Sequence, residues 1–97
     1  MVNNINQISN PAEVRRKFQK YKGSDDAKLE LSEKKDKKYK VIYDGKTTHF
    51  GSTMQDYTKH KDETRRKSYL ARAQGIKGNW RANKYSANSL AIHLLWT

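Results

Sequence analysis

Asp56, His60 and Asp62 form the tightest grouping of acid and imidazole in the 97-residue chain. His60 with Asp56 could be drawn as a pair for general acid–base work, and all three as oxygen and nitrogen ligands for a metal ion. Lys59 and Lys61 lie between them and add opposing charge. The other two histidines, His49 and His93, fall on different predicted elements, without ligand spacing. The residues therefore favour a hydrogen-bond network that fixes a corner over a reactive or metal centre. Nucleophilic catalysis has no cysteine to use, no serine sits in an elbow-like setting, and Gly-rich phosphate loops are absent. No catalytic residue, no metal and no cofactor is expected. A small basic nuclease using His60 is the residual enzymatic alternative.

The charge makes a stronger statement. Lys and Arg total 21 against 10 Asp and Glu, a formal net charge of +11. Such a balance attracts polyanions through counterion release. Lys38, Lys40 and His49 are expected on one face of a ribbon, beside Lys61, Arg65 and Arg72 on the helix that follows. Together they are the candidate polyanion- or partner-binding residues. Contacts of this type hold phosphates without reading sequence. Tyr39, Tyr43 and Phe50 could stack on bases, but a chain with only 34% hydrophobic residues needs them for its core. Solubility is the bland explanation of the same charge.

The elements that must position these residues are legible from local pattern. Residues 1–9 are polar and Asn-rich and read as an extended arm. Asn10 as cap, Pro11 at the first helical position and Glu13 for a capping box predict a helix to about Lys22, stopped at Gly23. Val14, Phe18 and Tyr21 share one face of it, while Arg15, Arg16, Lys17 and Lys20 crowd the rest. That basic surface is either a solvated face or a polyanion-binding helix. Residues 27–33 alternate as a half-exposed strand. Asp44-Gly45 predicts a type I′ hairpin that pairs Tyr43 with Lys46, Val41 with Thr48 and Tyr39 with Phe50. Tyr39, Val41, Tyr43, Thr48 and Phe50 should then face a core, and Lys38, Lys40, Ile42, Thr47 and His49 should face outward.

Gly51 ends the ribbon. Ser52 with Gln55 is expected to cap a short helical turn, and Asp62 to cap a helix from Glu63 to about Gln74. Tyr69, Leu70 and Ala73 form its apolar side, with Lys61, Arg65, Ser68 and Arg72 as a cationic stripe beside it. Residues 76–85 read as irregular around a buried Trp80. Ser86 should cap a last helix, Ala87 to Trp96, apolar almost all round with His93 packed inside it. The expected fold is a small single α+β domain: an N-terminal helix, a three-stranded antiparallel β-meander with the Asp44-Gly45 hairpin, and C-terminal helices packed on one face. Residues 1–26 form the arm and amphipathic helix, and residues 27–97 the basic α+β domain.

One pattern is specific enough to carry a resemblance. Lys37, Lys38, Tyr39 and Val41, then Gly45, His49, Phe50 and Gly51, precede Asp56-Tyr57-Thr58, His60-Lys61-Asp62, Arg65, Arg66, Tyr69 and Arg72. Trp80 and the closing Leu94-Leu95-Trp96 complete it. This resembles a family of small basic proteins from nucleocytoplasmic large DNA viruses, such as those of algae and protists, known only as a domain of unknown function. The similarity runs from about Leu29 onward. Similar proteins place a histidine where this chain has Ala73, which tells against a histidine-based site.

The resemblance implies a viral origin and a non-enzymatic role. The expected function is a structural component of a large DNA virus particle, a minor capsid or core protein. Its cationic face would bind acidic neighbouring proteins or the genome. The alternative is a sequence-nonspecific DNA- or RNA-binding protein in genome compaction or replication. Other virion proteins, the major capsid protein among the candidates, and DNA or RNA are the expected partners, with no small-molecule substrate. The expected location is the virion, and the host cytoplasm or nucleus during assembly. The apolar run around His93 is far shorter than the ~20 residues of a membrane span, and the first residues lack the shape of a signal peptide.

Overall fold

The computed structural model describes residues 5–97. Residues 1–4 of the predicted arm lie outside the described residues. Ile5–Gln7 forms a 3-10 turn, and the chain then passes inward, so that Ser9 is buried. The expectation of an extended arm over residues 5–9 is therefore corrected: the Ile8 carbonyl accepts from the Asp56 N–H at 3.0 Å and ties this segment to the middle of the chain.

Helix α1, Pro11–Lys22, begins and ends where its caps require. The Asn10 side chain accepts from the Glu13 N–H, Pro11 occupies the first turn, and Gly23 closes the helix at φ 57°. Val14 and Phe18 are fully buried and Tyr21 half-buried along one face. Burying a side chain such as Phe18 is worth about 1.5–3 kcal/mol, so this short stripe suffices to hold the helix.

Three strands follow, β1 Ala27–Leu31, β2 Tyr39–Tyr43 and β3 Lys46–Phe50, in the order β1-β2-β3. The β2–β3 register pairs Tyr43 with Lys46, Val41 with Thr48 and Tyr39 with Phe50. Asp44 and Gly45 both take positive φ, 52° and 74°, as a type I′ turn demands. On the inner face Leu29 opposes Val41 and Leu31 opposes Tyr39. Tyr39, Val41 and Phe50 are buried. Tyr43, near the hairpin tip, stays partly exposed and leans on Tyr85, with ring centroids 4.5 Å apart. Lys40 and His49 oppose each other on the outer face.

Two short helices turn the corner. Helix α2, Tyr57–His60, is capped by Asp56; the expectation of a Ser52–Gln55 cap fails because residues 52–55 bend without forming a helical turn. Helix α3, Glu63–Gln74, is capped by Asp62, whose side chain accepts from the Thr64 and Arg65 N–H groups. The expected anchor Trp80 is only partly buried. It lies in a 3-10 turn, Trp80–Ala82, with the Arg81 guanidinium 4.2 Å over its ring. Tyr85 is the buried aromatic of that segment.

Ser86 caps helix α4, Ala87–Leu90, which continues as a π-helical stretch, Ala91–Leu95. Leu90, Ala91, Leu94 and Leu95 join Val14, Phe18, Tyr39, Val41 and Phe50 in one core. The last helix thus packs within its own chain. His93 departs from expectation: it is exposed and stacks on Tyr21 at 5.1 Å, so the helix is not apolar all round. No helix among the described residues is long and apolar enough to cross a membrane.

Candidate functional site

Two lysines of the predicted cationic set meet carboxylates in opposite surroundings. Lys38, expected on the outward face, is buried with 1% exposure. Alternation does not reach it, because it precedes β2. Its N–H points at the carbonyls of both Phe50 and Gly51, at 3.2 Å each, and its side chain runs inward beneath Gly51. A Cβ at Gly51 would stand 3.2 Å from the Lys38 Cβ and 3.0 Å from Leu95 Cδ1, and Gly51 has φ +86°. The glycine is needed twice, for its backbone angle and for the room it leaves.

The Lys38 Nζ ends 3.2 Å from Asp56 Oδ2, and Asp56 is itself completely buried. The other oxygen, Oδ1, accepts from the Thr58 N–H at 3.0 Å and from the Thr58 hydroxyl. Thr58 Oγ1 in turn accepts from the Asn10 N–H at 3.0 Å and lies 3.3 Å from Ser9 Oγ. The Tyr39 hydroxyl donates to Ser9 Oγ at 2.8 Å. Burial pushes the Lys38 ammonium below its ordinary pKa, while the Asp56 charge and hydrogen bond act in the opposite direction. Burial also raises the Tyr39 phenol, to about 12. This network knits the segment before α1, the start of β2 and the cap of α2 into one unit.

His60 and Asp62 act on separate backbone groups. His60 Nδ1 accepts from the Asp62 N–H at 2.9 Å, and burial lowers the imidazole pKa, reinforced by Arg65. Its ring stands 5.3 Å from that of Trp96. Asp56, His60 and Asp62 are thus two helix caps and the turn between them. Among the described residues, no cluster of three or more His, Cys, Asp or Glu could hold a metal ion.

The other five candidates keep contact with solvent. Lys40 is held by Glu33 at 2.9 Å and Glu30 at 3.6 Å. His49 is half-buried, with Nδ1 2.8 Å from Ser32 Oγ. Arg65 pairs loosely with Asp62 at 3.6 Å. Arg72 is exposed on the same helix. Lys61, in the left-handed conformation at the end of α2, reaches back to α1 and holds Glu13 at 2.8 Å. Glu13 also meets Lys17 at 3.1 Å. Partial burial raises the Glu13 pKa, but the hydrogen bonds from Lys61 and Lys17 outweigh it and the net direction is down.

Lys61 consequently borders an open groove of about 560 Å³ whose charged lining is Glu13, Arg16, Lys17, Lys20 and Lys61. Four cationic side chains face one carboxylate side chain, and Lys17 also donates to the Thr97 oxygen in the same lining. Lys38 is excluded from any such surface, and α1 supplies the groove residues that were missing from the candidate set. Their signal was the basic run Arg15, Arg16, Lys17 and Lys20, whose two readings the sequence leaves open.

Residues 27–73 match a protein family described as a family of unknown function (DUF5754). No curated protein and no solved structure matches the chain.

Proposed function

We propose that this chain is a non-enzymatic structural component of a large DNA virus particle, and that the groove between α1 and Lys61 holds phosphates of the packaged genome. The resemblance of residues from Lys37 to Trp96 to small basic viral proteins supports the particle. The observation that carries the ligand is the groove lining, in which Arg16, Lys17, Lys20 and Lys61 stand against one carboxylate side chain, Glu13. Of the three ribbon aromatics, Tyr39 and Phe50 are buried in the core, and Tyr43 at the hairpin tip packs its ring against Tyr85. Binding therefore runs through phosphates and is indifferent to base sequence. A non-catalytic role accords with the sealing of Lys38 and Asp56 away from solvent.

Fluorescence anisotropy with a labelled duplex of about 20 base pairs tests this over a salt series. Three or four phosphate contacts predict a slope of about −3 in log K against log salt, at roughly 0.9 per phosphate. Arg16→Glu with Lys20→Glu should flatten the slope by about 2. No binding at about 50 mM salt would eliminate the genome reading.

A further inference from the structure

Away from the groove, the ring of Tyr69 lies on that of Trp96, with centroids 4.3 Å apart and planes 10° from parallel. Two adjoining clefts of about 280 and 310 Å³ open onto this stack and share it with Ser52. Met54 and Ile76 line the larger. They are 68% and 51% exposed, the most exposed large hydrophobic side chains among the described residues. Lys37 borders one cleft and Arg72 the other, and the described lining contains no carboxylate.

The floor is held in place before anything binds. Arg66 Nε donates to the Trp96 carbonyl at 3.1 Å, and the His60 ring stands against the indole. Such a preformed aromatic surface orders little on binding. The volumes lie at the lower edge of the ~300–1,000 Å³ typical of small-molecule sites and fit one or two apolar side chains. A second copy of the chain is a poor occupant, since each copy carries +11. Duplex nucleic acid keeps its bases stacked inside the helix and would set only phosphates against Met54 and Ile76.

The geometry points to an acidic segment of a partner protein as the occupant. A large apolar side chain seats on the Tyr69–Trp96 floor, flanking carboxylates meet Arg72 and Lys37, and Met54 and Ile76 close over the apolar part. The site shares no lining residue with the genome groove. It gives the chain a protein-facing surface distinct from its phosphate-facing one.

Isothermal titration with the capped peptide Asp-Asp-Phe-Leu-Asp-Asp tests it on the intact chain. Saturable one-to-one binding is expected, weakened about tenfold or more by Met54→Asp, by Ile76→Asp and by Arg72→Glu. All three positions are exposed, and far-UV circular dichroism checks that each variant is folded. Arg16→Glu with Lys20→Glu should weaken the peptide far less than Arg72→Glu does, since it acts only through the net charge. Four results would overturn the inference: no binding up to about 1 mM peptide, equal binding of Asp-Asp-Ala-Ala-Asp-Asp, loss of binding in the groove variant, or a dimer in sedimentation that Met54→Asp dissolves.

Discussion

Lys38 and Lys61 are both lysines bound to a carboxylate distant in sequence, and they do opposite things. The Lys38–Asp56 pair has side-chain exposures of 1% and 0%; in the Lys61–Glu13 pair they are 50% and 16%. Water reaches the second through its lysine and does not reach the first. A buried pair contributes little net stability over an apolar replacement, yet breaking it is severe, because a charge is stranded without solvent. An exposed pair is worth at most about 1 kcal/mol and leaves its lysine free to exchange partners. The difference teaches that net charge is a poor guide to binding surface in this chain. One cation of the predicted set specifies the fold, and another is held loosely enough to meet a ligand.

The largest effect should follow from breaking the inner pair. Lys38→Met leaves Asp56 buried beside an apolar chain, and Asp56→Asn leaves the ammonium without a counter-charge while keeping the cap of α2. Each should cost about 3–5 kcal/mol in urea unfolding. The double variant should cost less than the sum, since no charge is then stranded. Losses below about 1 kcal/mol for both single variants would erase the contrast with the surface pair.

Alkaline titration sharpens the same contrast through the hydroxyl at the far end of the inner network. Burial raises the Tyr39 phenol from 10.0 to about 12. Above pH 10 the unfolded chain loses this proton while the folded chain keeps it, so the unfolded state binds fewer protons and stability falls as pH rises. Tyr39 should account for a loss of about 2–3 kcal/mol between pH 10 and 12. The quantity to measure is the stability difference between wild type and Tyr39→Phe, which should shrink across that window. A difference constant in pH would show that the phenol is not sealed in the folded state.

Local chemistry made most of the fold legible. Asn10, Asp62, Ser86 and the Asp44-Gly45 turn each act within a few residues, and the elements they bound follow. What escaped was non-local. Lys38 sits one residue before its strand, so the period-2 rule assigned it outward, while its true partner, Asp56, comes from the cap of another element. Ser9 looked like part of a polar arm because its partners, Tyr39 and Thr58, lie far along the chain. The sequence points to Trp80 as the buried residue of its segment, whereas Tyr85 has the inward position and donates to Asp25 at 2.7 Å. The groove was half visible: the basic run of α1 stood out, but nothing local announced that Lys61 would fold back beside it.

The smallest stability effect and the most telling binding effect meet at Glu13. Its carboxylate takes hydrogen bonds from Lys61 and an ion pair from Lys17, and so neutralises part of the groove it borders. Glu13→Gln keeps the side-chain shape and removes the charge. Stability should change by no more than about 1 kcal/mol, because both lysines regain water. Duplex affinity should rise several-fold at low salt, as Lys61 is released toward phosphate and Lys17 keeps only its bond to the Thr97 oxygen, and the gain should fade as salt screens it. The same change separates the two regions cleanly. A Glu13→Gln loss as large as that of Asp56→Asn would mean that the outer pair also holds the fold. Unchanged DNA affinity would mean that Lys17 and Lys61 do not face the ligand.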